Sequence, residues 1–186
     1  MASDNEMYTV TVYSENQVGL LSAISSIYTR RSINIWSLSA SASSIEGVHK
    51  ITISSRSSRK KIDAVVAQIE KRVDVIKAFV YSNDEIIYRE VALYKVETDP
   101  LLDDNALEGI VSKHHARIIE MNRTYTVLQK TGHCDETMTL YKDLMRISKV
   151  LQFTRSGRVA VTRSDHELVD EFLSRRNREY EQRNNN

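Results

Sequence analysis

A single cysteine, Cys134, is all that 186 residues contain, so no disulfide can close within the chain. Glycine and proline are scarce, at five and one, which predicts regular structure joined by short turns. Charge of one sign is not in excess. The formal net charge is +1 with 27% charged residues, a balance that gives no reason to expect a nucleic acid, an anionic membrane or an acidic substrate as partner. No run of about eighteen apolar residues and no charged-then-apolar leader occurs, so neither a membrane span nor a secretory signal is expected. A reduced, cytoplasmic setting follows as the expectation.

Reaction chemistry is equally sparse. No P-loop, dinucleotide fingerprint or nucleophile elbow is present. His114-His115 and His133-Cys134 are the only clusters of metal-ligating types. Neighbouring helical residues point about 100° apart, so adjacent histidines cannot readily chelate one ion. His114 fits the apolar face of its helix and His115 the polar end. Asp99, Asp103 and Asp104 surround Pro100 without the glycine and glutamate an EF-hand needs, and read as turn and cap residues. The basic run Arg56 to Lys61 lacks aromatic interleaving or a recognition helix, and reads as a solvated loop and helix start. No metal and no catalytic residue is assigned.

What the chain does have is a repeated pattern. Met7 to Tyr13 alternates as a strand, and Asn16 is placed to cap a helix with Val18, Leu21, Ile24, Ile27 and Tyr28 at helical spacing. Ile33 to Ala42 and Val48 to Ser54 read as strands turning near Glu46-Gly47. Ser57 or Ser58 opens a second helix striped by Ile62, Val65, Val66 and Ile69, and Val73 to Val80 reads as a fourth strand. The order βαββαβ then begins again. Its parts are a strand at Ile86 to Val96, a helix carrying Leu107, Ile110, Val111 and His114, and strands at Arg117 to Met121 and Tyr125 to Gln129. A helix carrying Leu140, Leu144 and Ile147 follows, with Asp135 as its expected cap, then strands at Val150 to Thr154 and Val159 to Thr162. The expectation is an α+β chain of two ferredoxin-like βαββαβ domains, residues 1–83 and 84–164, with a charged tail at 165–186. One larger mixed sheet is the alternative. The tail has Leu168, Phe172 and Leu173 as its apolar run; one helix that frays before the final asparagines is an alternative, and the segment reads as solvated.

One segment stands out as a candidate site. Glu15-Asn16-Gln17-Val18-Gly19-Leu20-Leu21 puts a side-chain amide and a glycine where strand hands over to helix, and Asn34-Ile35 follows eighteen residues after Asn16. A helix start offers unpaired N–H groups and a positive dipole end to a carboxylate, and glycine lets a ligand approach the backbone. A small amino acid could place its carboxylate near the N–H groups of Gly19, Leu20 and Leu21 and its ammonium near oxygens of Asn16 or Asn34. The alternative is that Asn16 is only a cap and Gly19 only a packing residue.

At these residues the chain resembles the small, regulatory subunit of acetolactate synthase (acetohydroxyacid synthase). The resemblance rests on Glu15-Asn16-x-x-Gly19-x-Leu21, Arg31-x-x-Asn34-Ile35-x-Ser37-Leu38 and Gln68-Ile69-Glu70-Lys71-x-Val73-Asp74-Val75. It continues in Arg89 to Val96, Tyr125-Thr126-Val127 and Arg155-Ser156-Gly157-Arg158-Val159-Ala160-Val161-x-Arg163. It implies an N-terminal ACT domain and a C-terminal ferredoxin-like domain. It further implies a non-catalytic chain that binds the large catalytic subunit, activates it and confers feedback inhibition by valine. Valine would lie at a homodimer seam between ACT domains, with Asn16, Gly19, Leu20 and Leu21 from one subunit and Asn34 and Ile35 from its partner. Thiamine diphosphate, Mg²⁺ and FAD would belong to the catalytic subunit, leaving no cofactor here. Ser32 stands where that family often has glycine, and Trp36 where it often has an acidic residue.

Overall fold

The computed structural model describes residues 5–102, 106–165 and 168–184; Asp103 and Asp104 of the acidic loop lie outside them. Contacts divide the chain into two compact units, residues 1–87 with 160–186, and residues 88–159.

The first unit runs β1 (Glu6–Glu15), α1 (Leu20–Thr29), β2 (Ile35–Ala42), β3 (Val48–Ser57), α2 (Arg59–Ile69) and β4 (Val75–Tyr81). Its antiparallel sheet has the order β2-β3-β1-β4, so β1 and β3 are central while β2 and β4 are edges. Alternation along the central strands decides the packing. Val10, Val12, Ile51 and Ile53 join one core with Ile24, Ile27 and Tyr28 of α1 and Ile62, Val65 and Ile69 of α2. The expected turn between β2 and β3 holds Gly47 at φ +75. Ser58 is the N-cap residue of α2.

Two details at α1 depart from the sequence reading. Its N-cap is Gly19, in the left-handed region at φ +87, with no side-chain cap, so Asn16 does not cap it. Val18 lies before the helix and is fully exposed, and Leu21 is also exposed; Leu20 takes the buried position instead. The cap falls three residues later than Asn16, so the apolar stripe keeps Ile24, Ile27 and Tyr28 but starts at Leu20.

The second unit contains β5 (Ile86–Glu97, entering from the first unit), α3 (Asp99–Leu102), α4 (Ala106–His114), β6 (Arg117–Met121), β7 (Tyr125–Gly132), α5 (Cys134–Ile147) and β8 (Val150–Arg155). Its sheet has the order β6-β7-β5-β8, separate from the first sheet, so the single mixed sheet is not what forms. Ala92, Tyr94, Val96, Leu128, Leu140 and Leu144 make its core, with the Tyr94 hydroxyl donating 2.7 Å to the Thr137 carbonyl. Asp135 is not the α5 cap. His133 holds that position in a capping box, its N–H donating 2.6 Å to Glu136, a hydrogen bond that holds the Glu136 carboxyl below its ordinary range. β8 and β9 (Val159–Thr162) both pair with β5, and Gly157 between them has a φ of +76.

The tail departs furthest. α6 (Leu168–Asn184) is a helix whose Val169 is fully buried against Tyr13 and Val48, with Leu173 partly buried in the same cluster. Tyr13 belongs to the sheet face opposite Val10 and Val12, the face α1 and α2 leave open. The tail therefore covers apolar surface of the first unit.

Candidate functional site

The β1–α1 connection is built by three local choices. β1 ends at Glu15, whose N–H donates 3.0 Å to the Asp74 carbonyl, fixing the strand end against the segment leading to β4. The chain then turns, with the N–H of Leu20 donating 3.3 Å to the Gln17 carbonyl. Gly19 supplies the positive φ that this turn requires, and a Cβ built there meets nothing within 4 Å. The backbone at Gly19 is thus strained for other residues but open to approach.

The first intrahelical bond of α1 runs from the Ala23 N–H to the Gly19 carbonyl at 3.0 Å. With no side-chain cap, the N–H groups of Leu21 and Ser22 are the donors left to a ligand, together with the positive end of a ten-residue helix. The sequence reading named Gly19, Leu20 and Leu21 for this role; Leu20 is already engaged by Gln17.

A cavity of about 360 Å³ lies at this helix start. It brings together Asn16, Gly19, Leu20 and Leu21 of the expected site, and adds Ser14, Ala40, His49 and Ile51. Those four were missed by sequence reasoning. Only strand register reveals them, because Ser14 is opposite His49 and Ala40 is opposite Ile51.

Asn34 and Ile35 do not line this cavity. Ile35 opens β2 opposite Ser55, which is opposite Tyr8, whereas the cavity lies at the other end of β1. The Ile35 side chain packs partly into its own unit's core. A single chain therefore does not close the site with its own Asn34-Ile35. Beside them Trp36, which is 56% exposed, has the Arg56 guanidinium 6.0 Å from its ring centre, at an irregularity in the β2–β3 register.

The remaining clusters are structural. His114 is buried and shares Asp143 with Lys113 and Arg146, at 2.9, 2.6 and 3.1 Å; these hydrogen bonds, Lys113 foremost and then His114, hold the Asp143 carboxyl below its ordinary range. His115 is exposed. Buried Glu90 accepts hydrogen bonds from Thr137 at 2.6 Å and Arg155 at 3.2 Å, and Arg155 also donates to the Cys134 sulfur at 2.8 Å. Among the described residues no group of three His, Cys, Asp or Glu could hold a metal ion, and no helix is long and apolar enough to cross a membrane.

Known proteins share this arrangement. Residues 10–77 match the family model described as an AHAS small subunit-like ACT domain, and residues 89–164 match the one described as the small subunit of acetolactate synthase. The acetolactate synthase small subunit of Buchnera aphidicola (Schizaphis graminum) is 27% identical over 83% of this chain and 97% of its own length. That of Bacillus subtilis is 27% identical over 83% of this chain and 89% of its own. The fold is that of the Thermotoga maritima acetolactate synthase small subunit, with a TM-score of 0.77 at 24% identity over 87% of this chain and 99% of that one. The two family matches follow each other in the order of the small subunit and leave outside only the ends and a short segment between them, so this chain belongs to the acetolactate synthase small-subunit family.

Proposed function

We propose that this chain is a regulatory subunit of acetolactate synthase, which binds and activates the large catalytic subunit and makes it sensitive to valine in branched-chain amino-acid synthesis. One observation carries the effector part of the reading: an uncapped helix start, with Gly19 open to approach, faces a cavity large enough for a small amino acid. The carboxylate is held by the N–H groups of Leu21 and Ser22, and the Asn16 amide meets the ammonium.

A second copy completes the site. β2 is an edge strand, and pairing it antiparallel with β2 of another copy extends the sheet and removes both edges. Two-fold pairing about the middle of β2 brings the start of one strand beside the end of the other. Ile35 and Asn34 of the second copy then come beside Ala42 and Ser43, at the end of β2 whose Ala40 lines the cavity. Exposed Val18 and Leu21 gain a cover in the same arrangement. Thiamine diphosphate, Mg²⁺ and FAD are assigned to the catalytic subunit, and both subunits to the cytoplasm.

Valine binding one quaternary arrangement more tightly than another shifts the activating state, with a coupling of about 1–3 kcal/mol. The test is reconstitution with the large subunit and titration with valine. Activation by the chain and inhibition by valine are expected. Absence of any complex with the large subunit would instead favour a free-standing amino-acid sensor for another enzyme.

A further inference from the structure

We propose that Ser14 is an effector-contacting residue whose hydroxyl donates to the amino acid's carboxylate; this rests on the effector reading above and adds a residue to it. Ser14 is the penultimate residue of β1, opposite His49 on β3 and Val75 on β4, where the β1–β4 register shifts between Tyr13 and Ser14. Its side chain is 0% exposed, yet its Oγ has no hydrogen-bond partner. A buried hydroxyl left unpaired is costly and rare in folded proteins.

The orphan lies where a partner would arrive. Ser14 lines the same cavity as Asn16, Gly19, Leu21 and Ser22. It shares the sheet face that α1 covers, since it is in step with Val10 and Val12 of the core. The free N–H groups of Leu21 and Ser22 and the Ser14 hydroxyl therefore border one volume from two elements, helix start and strand end. A carboxylate has acceptor capacity for all three, because each oxygen accepts more than one hydrogen bond. An aliphatic side chain offers the hydroxyl nothing and the Asn16 amide oxygen takes the ammonium, so the carboxylate is the part of valine left for it to serve.

The experiment is calorimetric valine binding and thermal unfolding of the full chain as wild type, Ser14→Ala, Ser14→Thr and Gly19→Asp. Ser14→Ala is expected to weaken valine binding about ten-fold or more while leaving the ligand-free melting temperature unchanged or higher, because it deletes an unpaired polar group. Ser14→Thr, which keeps the hydroxyl, is expected to bind more tightly than Ser14→Ala. Wild-type affinity in Ser14→Ala, with binding lost in Gly19→Asp, overturns the role of Ser14 and leaves the effector site standing. Wild-type affinity in both overturns the site itself. A Ser14→Ala chain that loses melting temperature in step with affinity overturns the proposal, since the hydroxyl is then already satisfied in the ligand-free protein.

Discussion

Asn16 and Asn34 lie at opposite ends of one sheet. Asn16 follows Glu15, opposite Val48, while Asn34 precedes Ile35, whose partner Ser55 is opposite Tyr8. Tyr8 and Glu15 are seven positions apart on β1, roughly 23 Å at the rise of a strand. One amino acid cannot reach both residues of the same chain. The prediction is complementation: Asn16→Ala and Asn34→Ala chains, each impaired alone, recover binding when mixed and allowed to exchange. Random exchange makes half the dimers mixed, and each mixed dimer has one intact site, so calorimetry should recover about a quarter of the sites. No recovery on proven exchange rules out a shared site.

Gly19→Asp is expected to abolish valine inhibition of the reconstituted synthase, and the geometry refines the reason. An added Cβ meets no atom, so bulk is not the obstacle. The new carboxylate sits at the N-cap of α1, where it can accept the free N–H groups and occupy the effector's anion position. Gly19→Ala is the control. It carries the same left-handed strain, about 1–2 kcal/mol, without the charge. Retention of valine inhibition by Gly19→Ala, and its loss in Gly19→Asp, is the expected pair; equal loss in both would assign the effect to backbone strain.

Alternation and helical spacing made the two sheets legible, because Val10 and Val12 or Leu140 and Leu144 repeat at the periods that burial on one face demands. Periodicity could not fix where α1 begins. Val18 looks like part of the stripe, yet the positive φ of Gly19 starts the helix after it. The site was half legible for the same reason: Asn16 and Gly19 announce a loop, whereas Ser14, Ala40 and His49 reach the cavity only through strand register. Ser32 was marked by resemblance alone, as a serine where glycine is frequent, and its backbone has the left-handed φ of +54 that glycine tolerates best. The tail was misjudged because composition weighs its many charges, while packing depends on one valine.

That valine gives the third prediction. Val169 is buried without exposure against Tyr13 and Val48, the latter paired with Glu15 at the edge of the effector loop. Val169→Ala should lower unfolding free energy by about 1–2 kcal/mol, the cost of removing buried methyl groups. Val169→Asp should release α6 and expose Tyr13. Hydrogen exchange of the β1 end and denaturant unfolding together check this. A Val169→Asp chain with unaltered exchange at Tyr13 and Glu15 would show that α6 contributes nothing there.

Asp143 sets an acid limit on the second unit. Hydrogen bonds from Lys113 and His114 lower its folded value relative to the ordinary aspartate value of about 3.9. A carboxylate with a depressed folded value contributes stability above the unfolded value, and that contribution disappears as pH falls through the folded one. Stability should therefore drop as pH goes below about 3.9 by an increment that Asp143→Asn lacks. The difference between wild-type and Asp143→Asn denaturation midpoints, followed from pH 6 downward in roughly half-unit steps, isolates this carboxylate from the others. The difference should be constant above the ordinary aspartate value and shrink below it. A difference that grows with acid would mean that the folded protein prefers protonated Asp143, contrary to the hydrogen bonds from Lys113, His114 and Arg146 that converge on its carboxylate.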